Sequence, residues 1–260
     1  MKLDVYFIDA FADKVFTGNP AAVIFTDIDD EKLMQKIASE NNLSETAFVN
    51  LTKDTNYIRW FSPLKEVDLC GHATLASGFV YFNFINKDQN EVTFMSASGE
   101  LSVSKNNDLY ELNFPKDNLT KIDLIDRVED SIGVKPVETY IGDINLIAIL
   151  DSEDAIKELN PDFNKLINLE GQGLIVTAQS NEYDFVSRYF CPKYGINEDP
   201  VTGSAHTSLI PYWSERLNSK ELVAKQVSKR GGVLYCKNKD TRVLISGKAV
   251  LYMKGEIELS

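Results

Sequence analysis

Two stretches of this chain set acids and a histidine or serine around a glycine that opens an apolar run. The first reads Asp68-Leu69-Cys70-Gly71-His72-Ala73-Thr74 and the second Glu198-Asp199-Pro200-Val201-Thr202-Gly203-Ser204-Ala205-His206. The first N–H groups of a helix lack internal partners and lie at the positive end of its dipole, and glycine lets a ligand approach them closely. Each start alone is equally well an ordinary helix cap. As a pair, Gly71-His72 and Gly203-Ser204 suggest a small carboxylate held in a cleft between two facing halves. A histidine at a buried helix start beside acids can carry a proton, which makes His72 a candidate. His72 and His206 belong to no H-x-x-x-H or Cys/His spacing, so no metal site is expected.

Glu45 lies in Asn41-Asn42-Leu43-Ser44-Glu45-Thr46-Ala47-Phe48-Val49, between a helix pattern and a strand pattern. It reads either as a solvated acid or as a carboxylate partly desolvated in a cleft, its pKa raised so that it takes and returns a proton. The residues alone leave both readings open.

The elements that must position these groups come from an internal repeat. Residues 59–63 read Arg-Trp-Phe-Ser-Pro and residues 188–192 read Arg-Tyr-Phe-Cys-Pro; each follows a strand-like segment and precedes a polar loop and a Gly-x-Ala turn into a helix. From Pro63 to Gly71 is 8 positions and from Pro192 to Gly203 is 11, so the second loop carries an insertion. The repeat predicts an α+β fold of two similar domains, residues 1–117 and 118–260, each a strand barrel around a central helix. Each half reads as strand-rich with two helices. Asp29 or Asp30 caps a helix running to about Glu40, with Leu33, Met34, Ile37 and Ala38 on one face. The helix after Gly71 is apolar on nearly every side and is expected to be buried. The helix after Gly203 is expected to end or kink near Pro211. Residues 243–246 and 254–259 read as closing strands, the last able to pack with the first domain.

Composition excludes several classes. The chain has 260 residues, a formal net charge of −12, and 43% hydrophobic residues. Such a surface repels nucleic acid and anionic membranes. The N-terminal stretch alternates like a strand without a signal-peptide core, and no apolar run approaches the roughly 18 residues of a membrane span. Cys70, Cys191 and Cys236 are an odd set without C-x-x-C spacing, which suits reduced thiols in a cytoplasmic protein.

Gly18-Asn19-Pro20-Ala21-Ala22-Val23, Leu43-Ser44-Glu45-Thr46-Ala47-Phe48, the two glycine-led stretches and Lys229-Arg230-Gly231-Gly232 together resemble, in order, the PhzF (phenazine biosynthesis-like) family. The resemblance runs from about residue 9 to 259. It implies a fold shared with diaminopimelate epimerase and a cofactor-independent isomerase. Glu45 would be the general acid/base, His72, Asp199 and Ser204 would orient substrate and assist the proton relay, and the backbone at Gly71-His72 and Gly203-Ser204 would hold a carboxylate. It further implies a homodimer acting on a small carboxylate-bearing metabolite. Epimerases of that superfamily place a cysteine at each glycine-led start; here Cys70 fills the first place and the second has none. A two-thiol mechanism is therefore not expected, and Cys70 reads as buried and inert. The alternatives are a racemase or epimerase using Glu45 with another acid such as Asp199, and a non-catalytic metabolite-binding protein on the same scaffold.

Overall fold

A computed structural model describes residues 1–52 and 54–259. The chain divides into two units, Met1–Asn113 with Ile245–Ser260, and Phe114–Leu244. This differs from the expected 117/118 division: the chain leaves the first unit a few residues earlier and re-enters it at Ile245.

In the first unit β1 (Lys2–Ala10) pairs antiparallel with β2 (Asn19–Phe25). The chain then crosses through α1 (Glu31–Asn41) to β3 (Glu45–Leu51), which lies parallel to β2. Asp30 is the cap, its Oδ1 accepting from Lys32 N at 3.0 Å and Leu33 N at 3.2 Å, and Asn42 stops the helix in the left-handed region. β3 pairs antiparallel with β4 (Asn56–Phe61), whose end takes up the short β5 (Glu66–Val67). α2 (Gly71–Val80) is the second crossover. It leads to β6 (Glu91–Ser96), parallel to β4, and to the antiparallel β7 (Gly99–Asn106) and β8 (Leu109–Pro115). Every residue of α2 except Phe79 is buried. It packs against β1, β2, β3, β7 and the closing strand Ala249–Glu258, as a helix apolar all round must. On the other face of the sheet, Met34, Ile37 and Ala38 of α1 cover Ile24, Phe48 and Phe61. The closing strand starts earlier than expected and runs antiparallel along all of β1.

The second unit repeats this order and sense. After β9 (Thr120–Lys121) and α3 (Ile125–Ile132), β10 (Glu138–Ile141) is antiparallel to β11 (Leu146–Ile149). The crossover through α4 (Glu153–Lys157) and α5 (Phe163–Leu166) leads to β12 (Leu174–Gln179), parallel to β11. β12 is antiparallel to β13 (Phe185–Phe190), which carries the short β14 (Glu198–Asp199). α6 (His206–Leu217) then precedes β15 (Glu221–Gln226), parallel to β13, the antiparallel β16 (Gly232–Asn238), and β17 (Arg242–Gly247). The expected two helices become four here. α3, α4 and α5 place Val128, Ile132, Ile156 and Leu166 over Leu174, Val176, Val186 and Phe190, doing together what α1 does in the first unit.

Two expectations for α6 are corrected. The helix begins at His206 rather than at Gly203, because residues 203–205 form a tighter turn closed by His206 N to Gly203 O at 3.0 Å and Thr207 N to Ser204 O at 3.1 Å. It also does not end near Pro211 but continues through it to Leu217. Proline lacks the N–H that would bond the carbonyl four residues back. That carbonyl, Thr207 O, instead accepts from Asp117 N at 3.3 Å, while the Ser208 hydroxyl donates to the Asp117 carboxylate.

Candidate active site

The first unit brings Glu45, Gly71 and His72 together. Glu45 is the first residue of β3, and Gly71 and His72 are the first two of α2, so a strand start meets a helix start. His72 Nε2 lies 3.2 Å from Glu45 Oε2, with side-chain exposures of 6% and 19%. Asn19, heading β2, sets the tautomer: its Nδ2 donates to His72 Nδ1 at 3.1 Å, which leaves the ring proton on Nε2, facing Glu45. Burial pulls the His72 pKa down from 6.5 to about 3, so the ring is neutral at ordinary pH. The contact is therefore a hydrogen bond from a neutral ring to a carboxylate, not an ion pair. Asn19 is held by the turn before it: Gly18 has φ +68, and a Cβ there would come within 2.1 Å of Ala10 O.

Cys70 precedes the helix with its Sγ turned to the imidazole, 3.5 Å from Nδ1 and 4.0 Å from Nε2. The thiol sulfur, the Glu45 carboxylate and the imidazole all lie within 4.8 Å of one another. No Cys/His spacing was visible in sequence; the fold assembles this group by adding a glutamate from a strand. The first intrahelical bond of α2 is Thr74 N to Cys70 O at 3.2 Å, so the N–H groups of residues 71–73 precede it and form the helix's anion-attracting end. The Thr74 hydroxyl donates to the same carbonyl at 2.5 Å.

In the second unit Asp199, Gly203 and Ser204 lie along the segment between β14 and α6. Asp199 ends β14 and is buried, and its carboxylate accepts from the Thr202 hydroxyl. Gln226, fully buried, clamps the intervening turn. Its Nε2 donates to Asp199 O at 2.7 Å and to Thr202 Oγ1 at 3.2 Å, and its Oε1 accepts from Thr202 N at 2.8 Å. Ser204 is half-buried, with its carbonyl taken by the Thr207 hydroxyl at 2.7 Å. His206 turns inward, its Nδ1 donating to Thr202 O at 2.9 Å while Nε2 has no hydrogen-bond partner. Burial lowers its pKa to about 4.

Asn19 and Gln226 are the positioning residues that sequence reasoning passed over. Asn19 lay inside a quoted motif without a role; nothing in sequence separated Gln226 from any other strand-end glutamine. A cavity of about 500 Å³ in the first unit, lined among others by Phe48, Tyr57, Arg59, Trp60 and Met95, includes neither Glu45 nor His72.

Comparison with known proteins matches residues 8–255 to the family model described as phenazine biosynthesis-like protein, PhzC-PhzF. An uncharacterized isomerase of Pseudomonas aeruginosa is 45% identical over 262 residues, covering 100% of both chains. The crystal structure of a phenazine biosynthesis protein of the PhzF family from Enterococcus faecalis superposes with a TM-score of 0.97 at 48% identity, covering 100% of both chains. A hydroxyproline epimerase from Agrobacterium vitis, with bound trans-4-OH-L-proline, shares the fold at a TM-score of 0.64 and 9% identity, over 98% of this chain and 92% of that one. Among the described residues no helix is long and apolar enough to cross a membrane.

Proposed function

The chain belongs to the phenazine biosynthesis-like PhzC-PhzF family, and from that premise we propose that it is an isomerase that moves a proton between carbons of a small carboxylate-bearing metabolite. The observation that carries the reading is the 3.2 Å contact between Glu45 and a His72 fixed as a neutral donor. In this reading the Glu45 carboxylate takes a carbon-bound proton and returns it to another carbon of the same substrate. His72 holds one carboxylate oxygen, which directs the other at the substrate. The charge that develops on the substrate is stabilised by the N–H groups opening α2. The transfer leaves the substrate at the same overall oxidation level, so an acid/base and a set of anion-stabilising donors suffice for it. Asp199, Gly203 and Ser204 are assigned to orienting substrate, the first through its carboxylate and the others through backbone and hydroxyl. The working assembly is assigned as a homodimer, to be checked by light scattering.

The test is deuterium incorporation from D₂O into a panel of small carboxylates, followed by mass spectrometry, for wild type and Glu45→Gln. Exchange in the wild type that falls at least about 100-fold in the variant supports the assignment. Exchange that survives unchanged sinks the role of Glu45. Exchange confined to a stereocentre, with inversion and no movement of a double bond, would replace the isomerase by an epimerase.

A further inference from the structure

The cavity in the first unit lies where the two units differ. Phe48 and Asn50 of β3 pair with Arg59 and Tyr57 of β4, as Val176 and Ala178 of β12 pair with Arg188 and Val186 of β13. In the second unit Val176, Ala178 and Val186 are buried in one core with Ile156 of α4, a helix that packs on both strands. Arg188 Nη1 donates to Ile156 O at 3.1 Å and to Leu159 O at 2.9 Å, around the end of that helix. The first unit has a loop in this place: the chain passes from β2 to α1 through residues 26–30, and Thr26, Ile28 and Asp29 line the cavity. α1 covers Phe48 and Phe61, while Asn50, Tyr57 and Arg59 face a space of about 500 Å³ in which Tyr57 is 46% and Met95 38% exposed. We propose that this cavity binds a small, uncharged, largely apolar molecule through a carbonyl oxygen set on Arg59 Nη1, in the position that α4 fills in the second unit.

The size suits a compact organic ligand, for which about 300–1,000 Å³ is usual. Phe48, Tyr57, Met34 and Met95 supply apolar wall for its body. Arg59 dictates the polar contact. Its Nε and Nη2 are held by Glu66 at 2.7 and 2.8 Å, whereas Nη1 meets Asp29 Oδ1 at 3.5 Å, on a side chain 92% exposed. That contact is long for a hydrogen bond, so a carbonyl oxygen can take the place that Ile156 O and Leu159 O take on Arg188. Charge selects a neutral ligand. Asp29, Glu31 and Glu66 all lie within 3.5 Å of the guanidinium, so an anion meets a net negative surround, and a cation has to compete with Arg59 for Glu66. The site stands apart from the reading of Glu45 and His72, neither of which lines the cavity.

The experiment labels the methionine methyl groups of the full chain with ¹³C and follows them by NMR. Of the 4 methionines, Met34 and Met95 line the cavity, and Met1 and Met253 do not. Acetanilide, a neutral amide on an aromatic ring, is expected to move the Met34 and Met95 signals along one saturating curve and to leave Met1 and Met253 in place. Ethylbenzene, which has no acceptor, should bind at least about tenfold more weakly, the scale of one hydrogen bond to a charged donor. Benzoate and phenyltrimethylammonium should also bind more weakly than acetanilide. Asp29→Ala changes an exposed residue that does not cap α1, and should tighten acetanilide binding by about threefold, on the scale of an exposed ion pair removed from Nη1. Arg59→Met should bring acetanilide down to the level of ethylbenzene; if that variant fails to fold, the sign of the Asp29→Ala effect decides. No saturation by acetanilide, or saturation that moves Met1 or Met253 instead, overturns the site. Equal binding of ethylbenzene and acetanilide overturns the role of Arg59. Phenyltrimethylammonium that binds more tightly than acetanilide and is lost in Asp29→Ala overturns the uncharged ligand in favour of a cation.

Discussion

The two units carry the same frame around different contents. Arg59 grips both oxygens of Glu66 through Nε at 2.7 Å and Nη2 at 2.8 Å, and Arg188 grips Glu198 in the same way at 2.7 and 2.9 Å. Each guanidinium stacks on the phenylalanine two residues on, at 5.2 Å over Phe61 and 4.8 Å over Phe190. A hairpin serine straps the following loop in both, Ser98 Oγ to Asp68 O at 2.7 Å and Ser228 Oγ to Pro200 O at 2.6 Å. Thr74 and His206 each bond back to the carbonyl four residues earlier, Cys70 O and Thr202 O. Laid on this frame, Cys70 corresponds to Thr202, His72 to Ser204, and Val67 to Asp199. Thr46 pairs with Phe61 as Leu174 pairs with Phe190, so Glu45 corresponds to Gly173. There the Tyr189 ring takes the room, since a Cβ on Gly173 would lie 2.6 Å from it. The Tyr189 hydroxyl donates to Asn145 at 2.9 Å. Repetition has kept what positions a helix start and replaced the side chains on which the proposed chemistry relies, which suits proton transfer by one unit only.

The largest expected effect strikes that asymmetry directly. Glu45→Gln should lower carbon-proton exchange at least about 100-fold, while Asp199→Asn should act mainly on KM. An equal loss of kcat in both, read from steady-state exchange, would mean that both units do acid/base work.

Next, the two arginine clamps should differ in strength. Arg188 is 13% exposed and its Nη1 also donates to Ile156 O and Leu159 O, whereas Arg59 is 29% exposed and its Nη1 faces the solvated Asp29. Arg188→Ala should cost about 3–5 kcal/mol by urea unfolding, and Arg59→Ala about 1 kcal/mol. Equal costs would deny that the helices over the second sheet depend on this clamp.

Both histidines are buried and neutral, with folded pKa values near 3 and 4 against 6.5 when free. The unfolded chain then binds more protons than the folded one below pH 6.5. Their contribution is full above that pH and falls as pH drops toward the folded values, by on the order of 2 kcal/mol each at pH 5. Urea midpoints at pH 7 and pH 5 should converge in part for His206→Asn, and an unchanged pH dependence would contradict its burial as a neutral ring. The smallest effect belongs to the straps: Ser98→Ala and Ser228→Ala should each cost about 1 kcal/mol, with a marked inequality showing that the longer second hairpin holds itself.

The frame was legible in sequence because Arg-Trp-Phe-Ser-Pro and Arg-Tyr-Phe-Cys-Pro record strand, clamp and turn within five residues. The insertion was legible too: Ser62 N bonds Lys65 O across the first loop, and Cys191 N bonds Asn197 O across the longer second one. The meeting of Glu45 with His72 was not, because two crossovers bring β3 and α2 together and no local pattern encodes it. The same holds for Asn19, set on His72 by a strand pairing. The helices over the second sheet were missed because α4 and α5 are too short to show helical periodicity. That the helix runs on past Pro211 was not legible, because the group that takes up Thr207 O lies far away in sequence, at Asp117.

The closing strand gives the molecule a direction in time. Ala249–Glu258 zips along β1, and Leu259 and Met1 exchange backbone bonds, Leu259 N to Met1 O at 2.8 Å and the Met1 amine to Leu259 O at 2.6 Å. On the ribosome, residues 114–244 emerge as one continuous stretch. The first unit emerges earlier, yet β1 waits with an open edge until the whole second unit has been made. Vectorial synthesis therefore completes this protein out of order, and the exposed β1 edge is where a nascent chain is most open to wrong pairing or to capture by a chaperone.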